Sequence, residues 1–291
     1  MAVFNLGSIN LDNVYSVPHL PQPGETLPAM GFAQGLGGKG ANMSVAIARA
    51  AARAIHIGSV GPDGRWAVER LMEYGVDTRH ISTASAPTGH ANICVDQDGE
   101  NSIVLFSGAN QTIESGAIRN ALSEAGPSDS LLMQNETNGQ REATQVASDG
   151  GLRIVYAAAP YETSAVQSVL GHLDLLILNA VEAEQLSSET GSKLEDLPVA
   201  DIIVTKGSEG CLWISDLHRS GKAFDAIASD VVDTTGAGDT FTGFLVAGLD
   251  RGLAMEQAIV LATRAASIMV SRHGTADVIP DLRDIEERFL T

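Results

Sequence analysis

The chain has 291 residues, of which 44% are hydrophobic and 19% charged, so it can bury a sizeable core. Its 18 basic residues are outnumbered by 36 acidic ones, and the formal net charge of -18 repels nucleic acid and anionic membranes. We therefore expect neither nucleic acid nor a membrane as a partner.

Apolar runs and amphipathic segments alternate along most of the chain. The apolar runs predict strands at Ala2–Leu6, Ala54–Ile57, Asn92–Val95, Ser102–Phe106, Ser130–Met133, Leu152–Tyr156, Leu173–Leu178 and Asp201–Thr205. The helical patterns cover Ala41–Ala52, Trp66–Tyr74, Glu114–Ala125, Ala183–Glu189, Thr240–Asp250 and Met255–Val270. This alternation predicts an α/β fold with a doubly wound, mostly parallel sheet and helices on both faces.

Two stretches interrupt the alternation. Residues 10–36 are rich in Pro and Gly, and residues 88–106 resemble two strands joined by a turn at Asp98-Gly99. We expect them to form a small β-sheet lid over the carboxyl edge of the main sheet, where ligands bind in such folds. The predicted division is a large α/β domain of residues 1–9, 37–87 and 107–291, and a lid of residues 10–36 and 88–106.

The cysteines and the first residues predict a cytoplasmic protein. Cys94 and Cys211 lie in apolar, strand-like runs without metal-like spacing, as expected of buried thiols in a reducing compartment. The first residues lack a basic leader, and no apolar run reaches about 20 residues. We expect neither a signal peptide nor a membrane span.

The segment Asp233–Phe241 carries the strongest chemical signal. A strand-like segment, residues 227–232, leads into it, and an amphipathic helix follows. Its glycines permit a tight turn whose N–H groups converge at the helix start, which suits a phosphoryl group. Asp239 either caps this helix or serves as a functional carboxylate. Donors and a carboxylate in one turn favour a nest of Gly236, Ala237 and Gly238, with Asp239 accepting a proton from an attacking hydroxyl.

Two further stretches suit a small polyhydroxyl ligand. Gly37-Gly38 lets backbone approach a ligand closely, and Asn42 offers both a donor and an acceptor; a flexible loop before a helix is the alternative. Asn10 and Asp12 lie on the same side of an extended chain, where they suit vicinal hydroxyls or simply a turn. Neither stretch matches a P-loop or a dinucleotide fingerprint.

The three stretches, in this order and spacing, resemble the ribokinase (PfkB) family of sugar kinases over essentially the whole chain. The resemblance implies an α/β domain with a β lid, ATP and Mg²⁺ as cofactors, a sugar substrate and a homodimer formed through the lid. Gln134-Asn135-Glu136 follows a strand where the family places a sugar-contacting Glu. The sugar-binding residues implied by the resemblance are Asn10, Asp12, Gly38, Lys39, Asn42 and Glu136.

The same resemblance implies a nucleotide site in the second half of the chain. Asn179–Glu182 fits the family's Asn-x-x-Glu element, with Glu182 reaching magnesium through water. A helix cap remains the alternative for Asn179 and Glu182, and a solvated charge for Lys206. The implied nucleotide-binding residues are Asn179, Thr205, Lys206, Gly207, Ser208, Gly210 and Gly238.

A monovalent-cation loop is also implied by the family pattern, with K⁺ as its ion. Val278 stands where such a loop often has a Ser ligand, and the neighbouring Asp277 is a candidate substitute. The implied ligands, mostly through backbone carbonyls, are Asp233, Thr235, Met269, Arg272 and Gly274.

The expected activity is ATP-dependent transfer of the γ-phosphoryl group to a primary hydroxyl, with D-ribose giving ribose 5-phosphate. Three alternatives stay open. The first is another substrate of the same family, such as fructose, a keto-deoxy sugar acid or a nucleoside. The second is a sugar or nucleotide sensor without catalysis, and the third is a dinucleotide-dependent oxidoreductase.

Overall fold

The computed structural model describes residues 1–289, and this part of the chain forms two sheets with helices packed around the larger one. The strands, in chain order, are β1 (Ala2–Leu6), β2 (Asn10–Ser16), β3 (Gly31–Gly37), β4 (Arg53–Val60), β5 (Asp77–Thr83), β6 (Gly89–Val95), β7 (Asn101–Phe106), β8 (Ser130–Met133), β9 (Arg153–Ala157), β10 (Leu175–Asn179), β11 (Asp201–Thr205), β12 (Cys211–Ser215) and β13 (His218–Phe224). The α-helices are α1 (Lys39–Arg49), α2 (Arg65–Glu73), α3 (Ser115–Leu122), α4 (Gln140–Asp149), α5 (Thr163–Val169), α6 (Ala180–Thr190), α7 (Ala237–Asp250), α8 (Met255–Met269) and α9 (Leu282–Phe289).

The large sheet has nine strands among the described residues, in the order β13-β12-β11-β10-β9-β8-β1-β4-β5. The pairs from β5 to β11 are parallel, and β12 and β13 join antiparallel at one edge. Strand β1 lies between β4 and β8, so the chain changes direction across the sheet at this point. Ligands of doubly wound sheets bind at the carboxyl ends of the strands beside such a switch point. The predicted fold class is confirmed.

Two hydrophobic clusters pack on the opposite faces of the large sheet. Successive residues of β1 alternate between them: Val3 belongs to one cluster and Phe4 to the other. Phe244 of α7 is fully buried in the first cluster, and Tyr156 of β9 is fully buried in the second. No helix within residues 1–289 is long and apolar enough to cross a membrane.

The packing of α1 against α7 brings the starts of these two helices together. Gly243 of α7 lies directly against α1, where a Cβ would come within 2.8 Å of the Met43 carbonyl oxygen and collide with Ala46. A side chain at position 243 would push the helices apart. The close approach therefore depends on glycine, and it sets the distance between the residues that begin α1 and those that begin α7.

The second sheet contains four strands in the order β3-β2-β6-β7. Strands β6 and β7 form the predicted antiparallel hairpin, closed by the Asp96 N–H on the Glu100 carbonyl at 3.0 Å. The Pro- and Gly-rich segment supplies β2 and β3, which pair antiparallel. The sequence prediction of a small separate sheet is thus confirmed, while the division into two domains stays a prediction.

The predicted strands and helices are found within a few residues of their expected bounds, with one exception. Residues 227–232 are not a strand: Val231 and Val232 are exposed, and the Val232 N–H bonds to the carbonyl of Val270 at the end of α8. The apolar residues of this segment therefore lie on a loop and not in a hydrogen-bonded strand. The edge strand β5 and helix α4 were not predicted, because neither has a continuous apolar face that would reveal its periodicity in the sequence.

Candidate active site

The motifs singled out in the sequence meet at the carboxyl edge of the large sheet. Strands β1 and β8 are neighbours there, so the residues that follow them lie side by side. Strands β10 and β11 end together, with Asn179 paired to Thr205. Helices α1 and α7 begin above this edge and contact each other through Asn42 and Asp239.

Asp239 is the third residue of α7, and its carboxylate faces α1 rather than its own helix. Gly236, in the left-handed region at φ 73°, occupies the cap position, and no side chain caps the helix. The first intrahelical hydrogen bond runs from the Thr240 N–H to the Gly236 carbonyl at 2.8 Å. The N–H groups of Gly238 and Asp239 come before this bond and therefore have no acceptor within the helix. Of the alternatives open in the sequence, the geometry favours a functional carboxylate.

The predicted nest of Gly236, Ala237 and Gly238 offers fewer available N–H groups than expected. The N–H group of Ala237 donates to the carbonyl of Thr234 at 3.2 Å, so it closes the turn. Gly238 has open space where a side chain would stand, and its amide lies at the positive end of α7. An anion would therefore meet the amides of Gly238 and Asp239 first.

Burial and neighbouring charges set the protonation of Asp239. The side chain is only 8% exposed, and burial raises the pKa of its carboxyl. The Lys39 ammonium and a 2.9 Å hydrogen bond from Asn42 Nδ2 act in the opposite direction. A raised pKa makes the carboxylate a stronger proton acceptor, as a general base for a hydroxyl requires.

Lys39 opens α1 among three carboxylates. Asp239 is the main cause of the raised pKa of its ammonium, and Glu136 and Glu182 add to it. The lysine is half-buried, so these charges are poorly screened by solvent. One cation thus lies between the residues implied for the sugar and those implied for magnesium.

Asp12 and Glu136 form the acidic side of the implied sugar pocket. Burial, and then the charge of Glu136, raises the pKa of Asp12 to about 7. The Asp12 carboxylate packs on Gly37, where any side chain would collide with it. Glu136 Oε2 accepts hydrogen bonds from the Ser8 hydroxyl and from the Lys39 N–H at 3.0 Å. With Oε2 held in this way, Oε1 is the oxygen left for a ligand hydroxyl.

Asn10 and Asn42 complete this pocket, each through a partner elsewhere in the chain. Asn110 Nδ2 donates to Asn10 Oδ1 at 2.8 Å, and Asn110 also bonds to the backbone of Ile9. Asn42 Oδ1 is buried and has no hydrogen-bond partner among the described residues, so it is free to accept from a ligand. Ser8 and Asn110 were missed as site residues; Ser8 lies within a recognised motif, whereas no sequence signal marks Asn110.

The implied nucleotide residues lie at the ends of β10 and β11. Asn179 and Glu182 form a capping box for α6, with hydrogen bonds of 2.8 and 2.9 Å, so the helix-cap alternative is borne out geometrically. Lys206 begins a tight turn from β11 to β12, closed by its N–H on the Gly210 carbonyl at 2.8 Å. Gly210, at φ 88°, lies against the backbone of Asp225 and Ala226, which excludes a side chain.

Glu182 fits magnesium held through water better than magnesium held by a protein cage. No cluster of three or more potential metal ligands was found among residues 1–289. The Glu182 carboxylate is 9% exposed, and burial raises its pKa. Its Oε2 bonds to Asn179, which leaves Oε1 for a metal-bound water. Magnesium in phosphoryl-transfer sites keeps several waters and binds mainly to the phosphates, so one such carboxylate suffices.

The implied monovalent-cation loop fits its ion poorly. Asp233 accepts hydrogen bonds from the N–H groups of Thr235 at 2.9 Å and Gly274 at 3.3 Å, so its carboxylate holds the loop itself. The Met269 carbonyl accepts from the Arg272 N–H at 3.0 Å.

The position that often carries a serine ligand in that loop offers no side-chain oxygen to an ion here, and the candidate substitute Asp277 is engaged elsewhere. Val278 offers no side-chain oxygen, and the Asp277 carboxylate bonds instead to the Tyr74 hydroxyl and Arg70. Potassium has no role in the proposed reaction, and the cation loop stays a prediction.

A buried carboxylate at the open N-terminus of a helix is the arrangement expected of a phosphotransferase that acts on an alcohol group. The profile of the pfkB family carbohydrate kinases matches residues 2–282, and the chain belongs to this family. The matched range includes the two glycine-containing segments that begin α1 and α7. This match does not support the alternative of a dinucleotide-dependent oxidoreductase.

Several proteins similar to this chain are ribokinases. The ribokinase of Haemophilus influenzae is 35% identical, over 97% of this chain and 96% of that protein. The crystal structure of a ribokinase from Thermotoga maritima has a TM-score of 0.90 and 30% identity, with all of both chains covered. A ribokinase of Arabidopsis thaliana complexed with ribose and ATP has a TM-score of 0.87 and 27% identity, covering 99% of this chain and 98% of that one.

Replacing Asp239 tests its role as the base. We expect Asp239→Asn to lower turnover by about two to four orders of magnitude, because an amide cannot take the hydroxyl proton. Sugar binding, measured by calorimetry, should change little. Asp250→Asn is the matched control, since Asp250 is a buried carboxylate at the far end of the same helix. Near-normal turnover of Asp239→Asn would show that another group is the base.

The raised pKa of Asp12 predicts a pH-dependent stability. The carboxyl titrates at 3.8 when unfolded and at about 7 when folded, so the folded chain binds its proton more tightly. The stabilisation is therefore complete below about pH 4 and is lost as the pH rises through about 7. Urea unfolding should show this loss in the wild type and a weaker one in Asp12→Asn. Equal pH dependence in both proteins would contradict the assignment.

Proposed function

We propose that this protein is an ATP-dependent ribose kinase, which transfers the γ-phosphoryl group to the 5-hydroxyl and releases ADP. The observation that carries the proposal is the hydrogen bond from Asn42 to Asp239, because it joins the implied sugar pocket to the phosphoryl-binding turn. The relatives named ribokinase, one of them complexed with ribose and ATP, support ribose as the sugar and ATP as the donor.

The chain's own residues supply positioning and charge balance. Asp239 accepts the proton of the 5-hydroxyl as that oxygen attacks phosphorus, and the amides of Gly238 and Asp239 stabilise the charge of the transferring group. Lys39 offsets the negative charge of Asp239 and Glu136. Magnesium, when bound near Glu182, neutralises the phosphates. Closure of the four-stranded lid excludes water and so limits hydrolysis of ATP.

The residues proposed to hold the sugar combine hydrogen-bond acceptors with groups that can also donate. Asp12 and Glu136 Oε1 accept hydrogen bonds from sugar hydroxyls, and Asn10 and Asn42 can also donate. The backbone of Gly37 and Gly38 lets a ring approach the start of α1. A compact pentose suits this set, because the acceptors lie on β2 and on the β8 end, close to one another.

ADP release with magnesium-ATP tests the activity. The panel contains ribose, deoxyribose, fructose, keto-deoxygluconate and nucleosides, each in potassium and in sodium. We expect turnover to be highest with ribose and insensitive to the choice of cation. Turnover with another sugar alone would retain the reaction but reassign the substrate. Tight ribose binding without any turnover would favour the sensor alternative and contradict the proposed activity.

We also propose that two copies pair through their lids in the cytoplasm. Strand β7 exposes four consecutive apolar side chains, Ile103, Val104, Leu105 and Phe106, each 47–65% exposed. Phe32 on β3 is 60% exposed. An apolar patch of this kind marks an association surface. The free thiols of Cys94 and Cys211 support a reducing compartment.

Sedimentation of a lid variant tests the homodimer. We expect Val104→Asp to convert a dimer into a monomer, because a buried carboxylate without a partner strongly disfavours the interface. Leu217→Asp is the matched control, since Leu217 is 88% exposed in the turn between β12 and β13. A wild-type monomer, or a Val104→Asp dimer of unchanged affinity, would contradict the proposal.

A further inference from the structure

A buried polar cluster lies directly beneath the proposed sugar pocket. Asn5 of β1, Ser44 of α1 and His56 of β4 are each 0% exposed, and Gln134 after β8 is 1% exposed. Their neighbours on the same sheet face, Val3 and Ala54 among them, belong to a hydrophobic cluster. Polar side chains at such positions are costly unless they bond to one another.

The hydrogen bonds of this cluster form one chain with a single consistent direction. His56 Nε2 lies 3.0 Å from the Gly7 carbonyl, which can only accept, so Nε2 carries the hydrogen. Nδ1 is then the acceptor for the Ser44 hydroxyl at 2.8 Å. Ser44 Oγ in turn accepts from Asn5 Nδ2 at 2.8 Å. This set of donors and acceptors corresponds to the neutral imidazole with its hydrogen on Nε2.

The chain of bonds joins the end of β1 to the first turn of α1. Asn5 Nδ2 donates its other hydrogen to the Gly40 carbonyl at 2.8 Å, and Asn5 Oδ1 accepts from Gln134 Nε2 at 2.8 Å. Between these contacts the backbones of Gly7 and Gly40 touch: a Cβ on Gly7 would lie 2.5 Å from the Gly40 Cα. The cluster thus fixes the two backbone segments where they meet.

The neighbours of these two glycines are the groups that hold Glu136. Ser8 follows Gly7 and donates to Glu136 Oε2 through its hydroxyl, and Lys39 precedes Gly40 and donates through its N–H. The Gly40 N–H also donates to Ser8 Oγ at 3.2 Å. A shift of α1 relative to β1 would change both contacts to Glu136 together.

We propose that His56, Ser44 and Asn5 are positioning residues for the sugar: they set the separation of β1 and α1 and so aim Glu136 Oε1 at the substrate. This inference rests on the proposed assignment of Glu136 to the sugar site. Burial lowers the pKa of His56 to about 4, so the neutral form required by the chain of bonds persists at physiological pH. The arrangement is therefore static rather than a pH switch.

The variant Ser44→Ala breaks the chain at its centre, and Ser59→Ala is its matched control. Both serines are 0% exposed, but the Ser59 hydroxyl has no hydrogen-bond partner among the described residues and lies on the opposite face of β4 from His56. We expect Ser44→Ala to raise the KM for ribose about tenfold, as loss of a buried hydrogen bond allows. The KM for ATP of Ser44→Ala should stay near that of the wild type, and so should both KM values of Ser59→Ala.

Two more variants keep the result interpretable. His56→Leu removes both ring nitrogens and should reproduce the selective change in ribose KM if it folds. Glu136→Gln tests the underlying assignment, and unaltered ribose binding in that variant would remove Glu136 from the sugar site whatever Ser44 does. The positioning role would be wrong if Glu136→Gln weakens ribose binding but Ser44→Ala has no selective effect. Ser44→Ala would then change the KM for ribose and the KM for ATP equally, or leave both unchanged. Thermal unfolding of each variant separates lost stability from lost affinity.

Discussion

Two contacts that only glycine permits hold the reacting groups at a fixed distance. Gly243 lets α7 lie against α1, and Gly40 lets α1 lie against the end of β1 at Gly7. A Cβ at any of these positions would meet backbone or packed side chains, so the separation cannot relax without loss of packing. Asp239 and the side chains proposed to bind the sugar are placed by this pair of close contacts, and catalysis by positioning depends on such precision.

The charge of the pocket follows from the same compact arrangement. In a chain of net charge -18, the start of α1 places Lys39 among Asp239, Glu136 and Glu182. Burial raises the pKa values of Asp12, Asp239 and Glu182, because it removes each carboxylate from solvent. A bound triphosphate would add further negative charge, which is the physical reason for proposing a magnesium ion near the phosphates. In the proposed reaction, the helix amides at Gly238 stabilise the transferring group without adding a titratable group.

Much of this organisation was predictable from the sequence because it is local. Apolar runs predicted six of the nine strands of the large sheet, all except β5, β12 and β13, and Asp98-Gly99 predicted the lid hairpin. The prediction was wrong at residues 227–232, where exposed valines follow a loop across the end of α8. The capping box of α6 shows that Asn179 and Glu182, which the family resemblance assigns to a nucleotide site, also have a structural role that the sequence pattern allowed.

The sequence by itself determined the class of fold, the family and the positions of the glycine-rich turns, since these depend on periodicity and on short motifs. Only the tertiary structure decided that Asp239 faces Asn42 instead of capping α7, and that Asn110 supports Asn10. It also decided that His56, Ser44 and Asn5 form one hydrogen-bonded chain. These contacts join residues that are far apart in the chain, and their distances exist only after the sheet and helices have packed.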